Sequence, residues 1–299
     1  MSIDTSDSNK SNNLSHSSKV LYTVSDNGVA TVTFDNGAKH NAFDDTIIKI
    51  LTDIFNDIAK RDDIKVMVLA ANGKSFSAGA DLGWMKRMAG YSYEDNLKDA
   101  HKLADMLKVL NFLPQATIAK IQGAAFGGAV GLASCCDIVI ASNKASFCLS
   151  EVKLGLIPAT ISPYVVNAIG LKASRRYFQT AERFFADKAM QIGLVDEVVD
   201  AEELTPAVEK MINTLLSNSP QAMRQAKQLA FDVAYQKIDE QLLSDTSARI
   251  ASIRVSNEGQ EGLSAFFEKR SPAWQQSANT GNQLTSNHLA SSQCNDSEG

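Results

Sequence analysis

Hydrophobic positions along the chain follow two rhythms. Short β-rich runs, Val20 to Ser25 and Val29 to Phe34, flank Asp26-Asn27-Gly28, whose Asn-Gly pair predicts a hairpin. Ile47, Leu51, Ile54, Phe55 and Ile58 then recur at helical spacing, with Asp44 or Asp45 placed to cap the helix start. Val66 to Ala70 is a continuous apolar strand, Gly73 to Asp81 a turn-rich loop, and a helix is predicted from there through Leu113. Ile118 to Ala141 reads as strand, small-residue helix and strand. Strands alternate with helices to about residue 166, and the chain is then mostly helical to Trp274, with a break at Asn218 to Pro220. The strand–strand–helix alternation hints at a repeat that the sequence itself is too divergent to define.

The two ends depart from this pattern. Residues 1–19 and 277–299 are rich in Ser, Asn and Asp with little to bury, and are read as disordered tails. Between them, residues 20–200 are expected to form an α/β core and residues 201–276 a helical region. With 299 residues and 44% hydrophobic content, the chain can bury a full core. A net charge of −5 disfavours a general polyanion binder, so nucleic acid is not the expected partner. The start has no apolar signal segment, and Ile121 to Cys136 is too short and small-residue-rich for a membrane span, so a soluble cytoplasmic protein is expected. Cys135, Cys136, Cys148 and Cys294 form no C-x-x-C pair and read as reduced thiols, and four histidines are too few for a His-rich metal site.

Candidate chemistry concentrates between Ile118 and Ile161. Gly127-Gly128 opens the small-residue helix, where backbone N–H groups face a ligand and the helix end favours a developing anion. Glu151 lies beyond the next apolar run and offers a proton acceptor or donor. A second small-residue turn, Ser77 to Leu82, follows the Val66 strand. Two such turns could place two N–H donors on one carbonyl oxygen. Other motifs fail: Gly73-Lys74-Ser75 lacks the first P-loop glycine, the Gly123 to Gly131 run is not G-x-G-x-x-G, and no G-x-S-x-G elbow exists.

SAGADL (77–82), GAAFGGAVGLASCCD (123–137) and SEVKLGLIP (150–158) together resemble the enoyl-CoA hydratase/isomerase, or crotonase, superfamily. Lys39-His40-Asn41-Ala42, Ala181-Glu182-Arg183-Phe184, Gly193-Leu194-Val195 and the run from Glu261 to Arg270 extend the likeness from about Val20 to Trp274. The resemblance implies an α/β spiral of repeated ββα units, and a helical C-terminal region that builds a homotrimer or homohexamer. It implies an acyl-CoA substrate, with coenzyme A carried on that substrate and no separate cofactor or metal. It assigns Ala80 and Gly128 as the backbone oxyanion donors and Glu151 as the acid/base. Lys39, Asn41, Ala42 and Ala78 would meet the nucleotide end of coenzyme A, and Lys269 its phosphates.

Two departures from the family pattern stand out. Hydratases of this superfamily often carry a first glutamate in the Gly-rich helix, where this chain has Gly131. The family's IPGxGG loop is replaced by Ile157-Pro158-Ala159-Thr160-Ile161-Ser162-Pro163. One glutamate can serve both halves of a hydration, or shuttle a proton between C2 and C4 as an isomerase. GGAVGLASCCD with LSEV and IPATISPYVV resembles bacterial methylglutaconyl-CoA hydratases of leucine breakdown, which makes 3-methylglutaconyl-CoA the expected substrate. Its distal carboxylate calls for a cation, with Lys86, Arg87 and Lys153 as candidates. Isomerisation through Glu151 and an RNA-binding or non-catalytic protein are the alternatives.

Overall fold

A computed structural model describes residues 19–275. Residues 1–18 and 276–299, which take in all but Lys19 of the segments read as tails at 1–19 and 277–299, lie outside the described residues, Cys294 among them.

β1 (Val20–Val24) and β2 (Val29–Phe34) pair antiparallel, and Gly28 takes φ 85° in the turn between them. That left-handed conformation is what the Asn-Gly pair supplies at low cost. α1 (Asp45–Ala59) is capped by Asp44, whose side chain accepts from the Ile47 N–H. Ile47, Leu51, Ile54, Phe55 and Ile58 are all buried along its inner face. Each such side chain contributes about 1.5–3 kcal/mol of burial.

Three turns of a spiral follow. The first holds β3 (Val66–Ala71), β4 (Ser75–Ser77), α2 (Leu82–Met88) and α3 (Tyr93–Asn111). The second holds β5 (Ala116–Ile121), β6 (Ala124–Phe126) and α4 (Gly128–Ser134). The third holds β7 (Ile138–Ser142), β8 (Ser146–Cys148), a single 3₁₀ turn at Glu151–Leu154, and α5 (Ser162–Thr180), which is broken at Gly170 (φ 73°). The chain then passes through β9 (Phe184–Phe185), α6 (Ala186–Gln191) and β10 (Glu197–Val199).

Each turn gives its first strand to one sheet and its second strand to another. The six-stranded sheet runs β1-β2-β3-β5-β7-β10, parallel except for β1. The four-stranded sheet runs β4-β6-β8-β9, with β4, β6 and β8 parallel. The first four residues of β3 are buried in succession, as expected of a parallel strand covered on both faces. The fold is the α/β spiral of ββα units that the resemblance implies, and the repeat hinted at in sequence is present in space.

The helix predicted through Leu113 is two helices. α2 stops at Met88, and Ser92 starts α3 by accepting from the Asp95 N–H, with Glu94 and Asp95 in the first turn. A new cap with acidic residues behind it favours starting afresh over continuing through Gly90.

The chain divides into two compact units, Met1–Ile212 and Asn213–Gly299, where the sequence reading drew its line at 200/201. α7 (Leu204–Leu216) carries the chain from one into the other. The second unit holds α8 (Pro220–Val233), α9 (Glu240–Arg254) and α10 (Asn257–Glu268). Its break at 218–220 is a cap: Ser219 accepts from the Ala222 N–H, and Pro220 occupies the first helical position. Glu258 accepts from both Ser219 Oγ and the Gln221 N–H, tying α8 to α10.

Candidate active site

Ala80, Gly128 and Glu151 follow three neighbouring parallel strands, β4, β6 and β8, and line one cavity of about 640 Å³. Each sits a few residues beyond its strand's C-terminal end, so adjacent rungs of one sheet deliver the three groups.

Ala80 is held by Phe43. The Phe43 N–H donates to the Gly79 carbonyl and the Asp81 N–H to the Phe43 carbonyl, both at 2.9 Å. In this parallel bridge the N–H of Ala80 itself faces the other way and has no acceptor among the described residues. Asp81 then caps α2, accepting from the N–H groups of Gly83 and Trp84 at 2.8 and 3.1 Å. Lys39 Nζ reaches the other oxygen of Asp81 at 2.6 Å and holds that carboxyl below the usual carboxylate range.

Gly128 begins α4, so its N–H has no intrahelical acceptor, and none is found elsewhere among the described residues. The Phe43 ring explains why no side chain stands there: a Cβ on Gly128 would fall 2.6 Å from Phe43 Cζ. Phe43 therefore touches both donors, bridging to Ala80 by backbone and packing on Gly128 by ring.

Glu151 opens the 3₁₀ turn after β8. Its Oε1 lies close over Gly127, where a Cβ would come within 3.3 Å of it. Its Oε2 is buried without a hydrogen-bond partner. Burial raises the carboxyl above the ordinary glutamate value, and no neighbouring cation offsets this. The arrangement suits a group that alternates between carboxylate and acid.

The segment before α1 is stitched to the Ala80 loop. Asn41 is buried at φ 56°, its side chain accepting from the Asn36 N–H and donating to the carbonyls of Asn72 and Ser75, all at 2.8 Å. That side chain is committed within the loop, which leaves backbone as the part of Asn41 that could face a ligand. Lys39 is exposed apart from its Asp81 contact, Ala42 is buried, and Ala78 is exposed with its N–H on the His40 carbonyl at 2.9 Å. Lys269 belongs to the second unit, where it closes α10 at φ 54°.

The rest of the cavity is mostly apolar. Trp84 and Met88 from α2, Leu103 from α3, and Leu156, Ile157 and Ile161 from the altered loop form its wall. Trp84 thus serves as both wall and core; Met85 is not among the lining residues. Asp99 and Asn96 of α3 add polar atoms that the sequence reading missed. The signal for Asp99 was present: it shares the helix face of Leu103, Met106 and Leu110, an acidic residue in an apolar register. No Lys, Arg or His lines the cavity among the described residues. Of the cations proposed for a distal carboxylate, Arg87 pairs with Asp45 at 2.5 Å, and Lys86 and Lys153 are exposed outside the lining.

A family model described as enoyl-CoA hydratase/isomerase matches residues 25–277. A crystal structure of an enoyl-CoA hydratase from Shewanella pealeana is 50% identical, with a TM-score of 0.83, covering 86% of this chain and 96% of that one. A short-chain-enoyl-CoA hydratase of Clostridium acetobutylicum is 30% identical over 248 residues, 81% of this chain and 92% of the relative. A trans-2-decenoyl-[acyl-carrier-protein] isomerase of Streptococcus mutans is also 30% identical, over 263 residues, 85% of this chain and 97% of the relative.

Proposed function

The chain belongs to the enoyl-CoA hydratase/isomerase family, and on that premise we propose that it adds water reversibly across the α,β double bond of an enoyl-CoA. The thioester oxygen sits between the N–H groups of Ala80 and Gly128, which stabilise the charge that develops there. Glu151 removes a proton from water as the oxygen bonds to C3, giving an enolate, and returns a proton to C2. Backbone of residues 39–42 with Ala78 meets the nucleotide end of coenzyme A, and no further cofactor takes part. One observation carries this reading: two N–H donors without acceptors among the described residues, and a buried carboxylate oxygen without a partner among them, share one cavity. Each donor in comparable sites is worth about 3–4 kcal/mol.

The test is turnover of crotonyl-CoA in ¹⁸O-labelled water, with the parent chain and Glu151→Gln. Label in the 3-hydroxyacyl product, lost in the variant, supports hydration by one glutamate; a product without label refutes it.

The apolar wall and the lack of a lining cation favour a neutral acyl group. The motif likeness to methylglutaconyl-CoA hydratases supports a second substrate reading, 3-methylglutaconyl-CoA in leucine breakdown, which competition between the two thioesters decides. Isomerisation is favoured by the likeness to the streptococcal isomerase, and turnover of a β,γ-enoyl thioester without label would support it. We place the enzyme in the cytoplasm as a homotrimer or homohexamer. Exposed Phe231, Tyr235, Ile238, Phe266 and Phe267 in the second unit support self-association, which light scattering would measure.

A further inference from the structure

Asp99 is a buried carboxylate that the hydration step does not use. It is only 6% exposed, lies on the inner face of α3, and lines the same cavity as Glu151. One of its oxygens accepts from the Trp84 indole N–H at 2.9 Å, so a neutral donor from α2 fixes the orientation of the group. The other oxygen has a single cation near it, Lys102 Nζ at 3.9 Å, whose side chain is 62% exposed. At that distance and exposure the ammonium is screened by water and neutralises little of the charge. The indole carries no charge, and no Lys, Arg or His lines the cavity among the described residues. Glu151 and Asp99 are therefore the acidic residues lining the cavity, with no cation to balance them among the described lining residues.

Resting on the enoyl-CoA reading above, we propose that Asp99 is a specificity-determining residue, which rejects acyl groups bearing a distal anion in favour of neutral ones of the same size. An acyl carboxylate entering this cavity would lose its water shell and gain a like-charge neighbour in place of a partner. A methyl group at the same position would meet Trp84, Met88 and Leu103. A repelling charge in the wall separates two thioesters that the oxyanion donors and Glu151 cannot tell apart.

The experiment compares trans-2-pentenoyl-CoA with glutaconyl-CoA, which differ only by a terminal methyl against a carboxylate. The parent protein is expected to show a kcat/KM for pentenoyl-CoA at least 10-fold above that for glutaconyl-CoA. Asp99→Asn keeps an amide oxygen for the Trp84 N–H. It is expected to shrink that ratio by at least 10-fold, whatever its effect on the absolute rate for pentenoyl-CoA. Lys102→Ala removes the partial screen and should widen the ratio. A purely structural role for Asp99 would slow both substrates together and leave the ratio unchanged, which overturns the proposal. A parent protein that prefers glutaconyl-CoA overturns it as well and supports the dicarboxylic reading. If pentenoyl-CoA is not hydrated at all, it is the hydratase reading that has failed. The charge filter is then read from binding alone, as the Kd ratio of glutaryl-CoA to pentanoyl-CoA in parent and Asp99→Asn. A ratio that Asp99→Asn leaves unmoved overturns it there too.

Discussion

Ile161 occupies the space that a side chain on Gly131 would need: a Cβ there would fall 2.3 Å from Ile161 Cγ2 and 2.7 Å from its Cβ. The two departures from the family pattern, a missing first glutamate in α4 and a rewritten loop before α5, are one packing event. The loop presses an isoleucine onto a bare Cα, and Ile161 gives the cavity an apolar surface there.

Gly131→Ala should therefore destabilise the fold, although alanine is the better helix former. Helix propensity favours the substitution by about 1 kcal/mol. Overpacking against a branched side chain typically costs about 1–3 kcal/mol. The net effect should be a lower urea midpoint, relieved when Ile161→Ala is added. A simple sum of the two single effects would refute the direct contact. Gly131→Glu alone should not create a two-glutamate enzyme, because its side chain has no room to reach the cavity.

Glu151→Gln should lower turnover by about 10²–10⁴-fold while leaving acyl-CoA binding nearly unchanged, as measured by kcat and by Kd for a saturated analogue. The pH profile carries a second signature. Burial raises the folded carboxyl above the ordinary value of 4.5, so the acid limb of kcat/KM should lie above that value. A raised folded pKa means that the neutral form is favoured in the fold, so stability present below 4.5 is lost as pH rises through the folded value. Glu151→Gln should accordingly raise the melting temperature at pH 8 more than at pH 4.

Gly128→Ala tests the ring contact with Phe43. The added methyl must push the ring or the α4 N-terminus aside, and displacing one donor should cost about 10²–10³-fold in kcat. Adding Phe43→Leu makes room and should recover part of the rate. Loss of rate in Gly128→Ala without any recovery in the pair would argue against Phe43 as the post that sets the donor.

Asp81→Ala removes the cap of α2 and the partner of Lys39, and should cost about 0.5–2 kcal/mol in chemical denaturation. Lys39→Ala should matter less, about 0–1 kcal/mol, because that lysine is half exposed. Since Lys39 depresses the Asp81 pKa, the stability this pair adds is present above the ordinary value of 3.8 and is lost as pH falls through the folded one. The parent and Lys39→Ala should converge in melting temperature at strongly acid pH.

Much of this site was legible in sequence, for physical reasons that can be named. Gly127-Gly128 announced a close backbone approach, and Asp44, Asp81 and the Asn27-Gly28 turn announced themselves by local hydrogen-bonding habits. Glu151 was a candidate by its place beyond the apolar run, and the family motifs gave it its weight, since nothing local marks a lone loop glutamate. Asn41 was read as part of a backbone segment that meets the ligand, and the bonds that hold its side chain to Asn36, Asn72 and Ser75 left no mark in sequence. The Gly131–Ile161 fit and the placing of Asp99 in the acyl wall depend on which surfaces meet after the spiral closes. Such pairings leave no trace in any single window of sequence.

The order of β4, β6 and β8 in one sheet has a consequence for how such a site changes. Parallel neighbours sit about 4.8 Å apart, so the strands set the spacing of the three short loops that carry the Ala80 and Gly128 N–H groups and Glu151. A substitution on one rung alters what is offered there without moving the other two. What is offered in this architecture can be exchanged rung by rung, with the N–H groups of Ala80 and Gly128 acting as a fixed ruler against which a new side chain is tried.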